Sequence, residues 1–130
     1  MNRSARGRRK ECSPADARER LHDAEAFLEA AITTSDPDVK ATNAIHAAIA
    51  AADAICCIAL RERSADGNHL AAAELLASVD PRLGNILRRA LDRKTQAGYE
   101  SQDVSAQDAE ACVRRAALLT ADARTRVLSA

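Results

Sequence analysis

A chain of 130 residues is long enough for one domain with a real hydrophobic core, but too short for two independent cores. Hydrophobic residues make up 47% of the chain and aromatic residues only 2%, so the core must be built from Ala, Leu, Ile and Val. Such small side chains favour closely packed helices over sheets. The formal net charge is +0, but the charges are unevenly distributed.

The first ten residues carry five positive charges and no acid. Positions 11–130 hold 14 basic and 19 acidic residues, a net charge of −5 that opposes DNA binding by this part of the chain. We therefore predict a basic, flexible N-terminal arm, residues 1–12, and one helical domain, residues 13–130. A short basic arm is typical of segments that contact nucleic acid, of solubilising tails and of over-extended reading frames, and the sequence leaves these open.

The four cysteines form neither a C-x-x-C pair nor a zinc-binding spacing, and we expect no metal and no cofactor. Cys56 and Cys57 are adjacent in an apolar segment and are predicted to be small core residues. No secretory segment precedes them, so a reduced, cytoplasmic protein is expected. The apolar run over residues 44–60 contains a histidine and an aspartate and is predicted not to cross a membrane.

Helix starts are marked by capping residues. A Ser or Asp accepts bonds from exposed amides of the first turn, where a following proline has no N–H to leave unpaired. The sequence has three such pairs: Ser13-Pro14, Asp36-Pro37 and Asp80-Pro81. A fourth start lies at Ser105, and a short helix follows the Asp66-Gly67 turn. The predicted helices span residues 14–33, 37–62, 68–78, 81–97 and 105–127. Because no segment alternates with period two for long enough, no strand is predicted.

The second predicted helix is apolar nearly all round, which is typical of a helix at the centre of a bundle or packed on a second subunit. Asn43, His46 and Asp53 share one of its sides. One interpretation is a polar stripe facing a site, where Asp53 orients a histidine or arginine. The other is that these residues mark where the helix reaches solvent, or form a buried polar pair that fixes helix register.

The segment from Arg61 to His69 separates the second helix from the short third one. Arginine neutralises phosphate and histidine moves protons near neutral pH, so Arg63 and His69 are candidate residues for gripping or cutting RNA. Their spacing alone is common by chance. His69 is either an exposed residue of a capped first turn or a general base kept neutral by the positive helix terminus.

The fourth predicted helix is the most basic structured segment. Arg89 and Arg93 are four residues apart and share a face, and Arg82 lies further back. This face is either a phosphate-binding patch or a solvated surface paired with nearby acids.

Four local matches, in this order, resemble the HEPN domain family (higher eukaryotes and prokaryotes nucleotide-binding). Residues 26–31, AFLEAA, resemble its first-helix pattern, and residues 44–60 its small-residue second helix. His69 opens the third helix after a polar loop. Residues 91–99, followed by Val104-Ser105 and an Ala-rich helix, resemble its closing section.

The resemblance implies an up-and-down antiparallel helical bundle of four long helices plus one short helix, in the form of a homodimer. In active members an arginine followed by a histidine cleaves RNA without metal beside the dimer interface, and Arg63 and His69 match that pattern. Ser64, Asp53 and His46 are candidate supporting residues, and Arg61, Arg89 and Arg93 are candidate nucleic-acid contacts. The implied role is a toxin or defence ribonuclease checked by an antitoxin. The alternative is an inactive module that binds a nucleotidyltransferase, another protein partner or a nucleotide.

Overall fold

The computed structural model describes residues 8–65, 67–100 and 104–130, with residues 93–100 described by secondary structure alone. The fold is all-α, as predicted, with a small two-stranded ribbon at one end. The elements in chain order are β1 Arg9–Glu11, α1 Pro14–Thr33, α2 Pro37–Leu60, β2 Glu62–Ser64, α3 His69–Val79, α4 Pro81–Glu100 and α5 Ala106–Ser129.

The predicted capping residues begin the helices. Ser13 and Asp16 form a capping box at α1, in which the Asp16 N–H donates to Ser13 Oγ at 3.1 Å and the Ser13 N–H donates to the Asp16 carboxylate at 2.9 Å. Asp36 caps α2 and Ser105 caps α5 through their side-chain oxygens. Asn68 caps α3 through its side-chain oxygen, which accepts from the Ala71 N–H at 3.1 Å.

Helix α2 lies at the centre of the bundle and packs against the other four helices. Small alanines on all its sides let those helices approach closely, and Ile55 is fully buried. Among the described residues, α2 is also the one helix long and apolar enough to cross a membrane, but 67% of its most apolar window is buried inside the fold. Its all-round apolar character is therefore explained by packing within one chain.

Larger side chains from α3, α4 and α5 complete the core around α2. The largest fully buried ones outside α2 are Leu76, Leu83, Leu87, Leu119 and Cys112. Helices α3 and α4 meet at Gly84, where an added Cβ would lie 2.5 Å from the Ala77 Cβ and 2.7 Å from its Cα. Glycine is thus needed at this position because no side-chain atom fits between the two helices.

The two strands differ from the sequence-based expectation. We predicted no strand, a flexible arm over residues 1–12 and a second helix reaching residue 62. Instead α2 ends at Leu60, Arg61 takes a left-handed conformation with φ 59°, and residues 62–64 pair antiparallel with residues 9–11. Residues 9–12 are therefore held against the bundle, whereas residues 1–7 lie outside the described part.

A disulfide between Cys12 and Cys57 fastens β1 to the end of α2, with 5.0 Å between the two Cα atoms. The expectation of reduced cysteines is wrong for this pair, because the ribbon brings Cys12 onto α2 from 45 residues away. Cys56 is a buried free thiol, as predicted. Burial, with a contribution from the Asp53 charge, raises the pKa of Cys56 to about 12, so this neighbouring thiol stays protonated near neutral pH.

Candidate functional site

Asp53 is a charged residue in the middle of the apolar core helix, and only 6% of it is exposed. Its Oδ2 accepts hydrogen-bond-length contacts from Arg20 of α1, at 3.1 Å from Nε and 3.0 Å from Nη2. Arg63 of β2 places Nη1 3.5 Å from the same oxygen. A buried carboxylate is thus shared by two guanidinium groups that come from different elements, which is how a charge is tolerated in an apolar interior.

The packing of α1 on α2 explains why Arg20 reaches Asp53. The rings of Phe27 and His46 also meet across these helices, with centroids 5.2 Å apart. Phe27 lies as far after Arg20 in α1 as His46 lies before Asp53 in α2. Contacts spaced in this way are expected for antiparallel helices joined by a short turn. His46 and Asp53 therefore do share one side of α2, the side that faces α1.

Burial raises the pKa of the Asp53 carboxyl above its ordinary value, while the charges of Arg20 and then Arg63 act in the opposite direction. Burial thus disfavours the charged form of Asp53, and the two arginines offset part of that cost. An uncompensated buried carboxylate is costly. If Arg20 or Arg63 were removed, we therefore expect the remaining arginine to move closer to Asp53.

An open cleft of about 440 Å³ lies beside this ion-pair cluster, between β1, β2 and the first turns of α1. Its lining is almost entirely charged: Lys10, Asp16, Glu19, Arg20, His22, Asp23 and Arg63. Three cations and three acids face one another there, so the cleft is polar without being strongly positive.

Several of these charges are already paired. Arg20 Nη1 lies 2.9 Å from Asp23 Oδ2. The Ser13 backbone N–H and hydroxyl hold the pKa of Asp16 below its ordinary value, and the charges of Arg63 and Lys10 act in the same direction. The cleft therefore contains an organised network of alternating charges.

The structure brings two of the predicted site residues together, Arg63 and Asp53. His69 is the first residue of α3, half-buried, and it is not one of the described residues that line the cleft. Ser64 lies next to Arg63 on β2, and its buried Oγ has no hydrogen-bond partner in the described structure.

The remaining predicted residues lie elsewhere. His46 is an exposed residue that stacks on Phe27 two helical turns from Asp53. Arg61 is exposed at the end of α2, and Arg89 is exposed on α4. The side chain of Arg93 lies outside the described residues, so the expectation that Arg89 and Arg93 share one face of α4 stays a prediction.

Sequence reasoning missed Arg20 and Lys10. A signal for Arg20 was present, because an aspartate in an apolar helix requires a cationic partner. The short connection at residues 34–36 predicts an antiparallel neighbour, and counting back from it places Asp53 opposite the first two turns of α1, where Arg18 and Arg20 lie. Lys10 had no such signal, since it reaches the cleft through an unpredicted strand.

No family model, curated protein or solved structure matches this chain. The resemblance to HEPN domains therefore depends on the order of the helices and on Arg63 and His69. It stays a prediction.

Proposed function

We propose that this protein is a HEPN-like endoribonuclease that cleaves RNA without a metal ion and acts as a homodimer. One observation carries the proposal: Arg63 lines an open cleft while a buried carboxylate contacts its guanidinium. His69 begins α3, the next element along the chain. An arginine held in place before substrate binds loses less entropy when it grips a phosphate.

The chemistry assigned to the two residues is a transesterification. The 2′-hydroxyl oxygen bonds to phosphorus, and the bond from phosphorus to the 5′-oxygen of the next nucleotide breaks. Either His69 accepts the proton of the attacking hydroxyl and water protonates the departing oxygen, or water accepts the first proton and His69 donates the second. Arg63 stabilises the negative charge of the phosphorane.

We include a homodimer in the proposal for an electrostatic reason. One cleft has balanced charge and attracts a polyanion weakly, whereas two copies would place two Arg63 side chains and other exposed arginines along one RNA strand. Such an enzyme acting as a toxin or defence effector would meet its RNA in the cytoplasm. An antitoxin or a nucleotidyltransferase is the partner expected to restrain it.

The test is cleavage of an end-labelled single-stranded RNA of mixed sequence by the purified protein in the presence of a metal chelator. We expect His69→Ala and Arg63→Ala to lower the rate about a hundredfold or more, as loss of a general acid–base or a charge stabiliser does. Arg18→Ala is the matched control, because Arg18 is an exposed arginine that does not line the cleft, and it should retain the rate. Intact RNA with the wild-type protein, or equal rates for His69→Ala, would refute the proposal. Expression of the same variants in cells, with growth as the readout, tests the toxin role.

The alternative function is an inactive helical module that binds a protein partner or a nucleotide. The balanced charge of the cleft favours it, because each cation there faces an acid. RNA binding by both the wild type and Arg63→Ala at equally low affinity, together with a partner recovered on pull-down, would favour this function. A dispersed monomer with no partner would count against it.

A further inference from the structure

We propose that Arg20 is a positioning residue: by occupying Asp53 it leaves the Arg63 guanidinium available to a phosphate group. This inference rests on the proposed function for its biological meaning, but the arrangement it describes can be tested without any RNA. Three nitrogens of Arg20 and one of Arg63 are distributed over the carboxylates of Asp53 and Asp23.

Arg20 is fully engaged by acids. Its Nε and Nη2 contact Asp53 Oδ2 at 3.1 and 3.0 Å, and its Nη1 contacts Asp23 Oδ2 at 2.9 Å. The Nε and Nη1 contacts are hydrogen bonds and the Nη2 contact is an ion pair, so all three nitrogens of the guanidinium face a carboxylate. Arg20 is therefore committed to the fold and is poorly placed to bind a ligand.

Arg63 has a different relation to the same carboxylate. Its contact with Asp53 Oδ2 is longer, at 3.5 Å, and is an ion pair through Nη1 alone. One quarter of its side chain is exposed and it lines the cleft, as is also true of Arg20, so the two arginines differ in their contacts with acids. The long contact limits where the guanidinium can go, while its other N–H groups are not taken up by Asp53.

Loss of Arg20 should change this division of roles. Asp53 is buried, so its charge needs a close counter-ion, and Arg63 is the nearest remaining cation with a described contact to it. We expect Arg63 to move from a loose ion pair to short hydrogen bonds with Asp53. Its guanidinium would then be withdrawn from the cleft and less able to bind a phosphate.

The first experiment measures how available Arg63 is, using phenylglyoxal, a dicarbonyl reagent that modifies arginine, and peptide mass spectrometry. In Arg20→Met the modification rate of Arg63 should fall about tenfold, the factor that one additional charge-assisted hydrogen bond supplies at the low end of its range. Arg20→Lys keeps a cation near Asp53 and should restore much of the rate. Arg18→Met is the matched control, since Arg18 is an exposed arginine of the same helix. An unchanged Arg63 rate in Arg20→Met would overturn the proposal.

A second variant covers the case in which Arg20→Met does not fold. The double variant Arg20→Met with Asp53→Asn removes the buried charge together with its partner, so no uncompensated carboxylate remains. Arg63 should then react at least as fast as in the wild type, because Asp53 no longer draws it inward. Slow modification in the double variant would contradict the proposed competition.

The third measurement is RNA cleavage by the same variants. Arg20→Met should lower kcat, with Arg20→Lys recovering part of it, since Arg63 contributes mainly to the transition state. Protection of Arg63 in Arg20→Met, combined with a wild-type protein that cleaves no RNA, would support the positioning role and refute the proposed function. Normal kcat in Arg20→Met alongside active wild type would refute the positioning role alone.

Discussion

The contact between α3 and α4 and the ribbon end of the molecule are built in opposite ways. Helices α3 and α4 meet through small residues, Gly84 against Ala77, with buried leucines around them. The ribbon end holds β1, β2 and the end of α2 together by a disulfide, a backbone ladder and the pairing of Asp53 with two arginines. Shape complementarity determines the first region, and a few specific long-range bonds determine the second. At the ribbon end, therefore, a substitution can remove one of these bonds at a time, and polar side chains there reach solvent.

The largest expected effect is loss of the disulfide. A crosslink between residues 45 apart stabilises by about 4 kcal/mol on the chain-entropy model, so reduction or Cys12→Ser should lower the thermal midpoint by about 15 °C. Hydrogen exchange at residues 62–64 should also increase, because β1 is the strand that pairs with them. The measurement is thermal unfolding with and without a reductant, with Cys12→Ser as the control on which the reductant has no further effect. Equal midpoints for the oxidised and reduced wild type would show that the ribbon does not depend on this bond.

The next effect tests the close contact of α3 with α4. Gly84→Ala places a Cβ 2.5 Å from the Ala77 Cβ and close to its backbone, so the helices must separate. We expect a loss of about 2 kcal/mol in the free energy of unfolding, even though alanine is the better helix former by about 1 kcal/mol. The matched control is Gly67→Ala, where the added Cβ meets nothing within 4 Å and stability should change by less than about 0.5 kcal/mol. A Gly84→Ala protein as stable as the wild type would contradict the tight contact.

These two regions also differ in how far the sequence predicts them. The five helices follow from local signals, since Ser13, Asp36 and Ser105 cap where they stand and the apolar faces repeat at helical spacing. The three-residue strands have no local signal, because residues 9–11 become a strand only by pairing with residues 62–64. The disulfide likewise has no local signal, because its two cysteines are 45 residues apart in the sequence.

The candidate site lies between these extremes. Asp53 was identified from the sequence because a charge in an apolar helix is conspicuous, and the structure pairs it with Arg20 and Arg63. That Asp53 orients an arginine for a functional site stays a prediction. Arg20 was not identified, since its position depends on the register of α1 on α2. Whether Arg63 and His69 act together depends on a ligand and a second subunit, and it stays a prediction.

A smaller effect is expected at the capping box that begins α1 beside the ribbon. Ser13→Ala removes the oxygen that accepts the Asp16 N–H and should cost about 1 kcal/mol of stability. It also leaves Asp16, a residue lining the cleft, with one fewer partner. Denaturant unfolding measures the loss, and Ser35→Ala, an exposed serine outside the helices, is the control. An effect no larger than that of Ser35→Ala would mean that the box is not needed.

The sharpest distinction between shape and charge comes from the pH dependence of Asp53→Asn. The pKa of Asp53 is raised in the folded protein above the ordinary 3.8, so the folded state binds this proton more tightly than the unfolded chain does. The contribution of Asp53 to stability is therefore greatest below pH 3.8 and falls as the pH rises through the folded pKa. Asparagine does not ionise and lacks this fall. As the pH rises from about 3 to about 7, the unfolding free energy of Asp53→Asn should therefore increase relative to that of the wild type.

Asp16 has a lowered pKa and the opposite pH dependence, but it is present in both proteins and cancels in their difference. Urea unfolding of the two proteins across this pH range is the measurement. If the wild type instead becomes more stable relative to Asp53→Asn as the pH rises, then Arg20 and Arg63 affect the pKa of Asp53 more than burial does. The ion pairs would then stabilise the ribbon end. The predicted direction instead means that this carboxylate is retained at a cost in stability, as expected of a group kept to position Arg63.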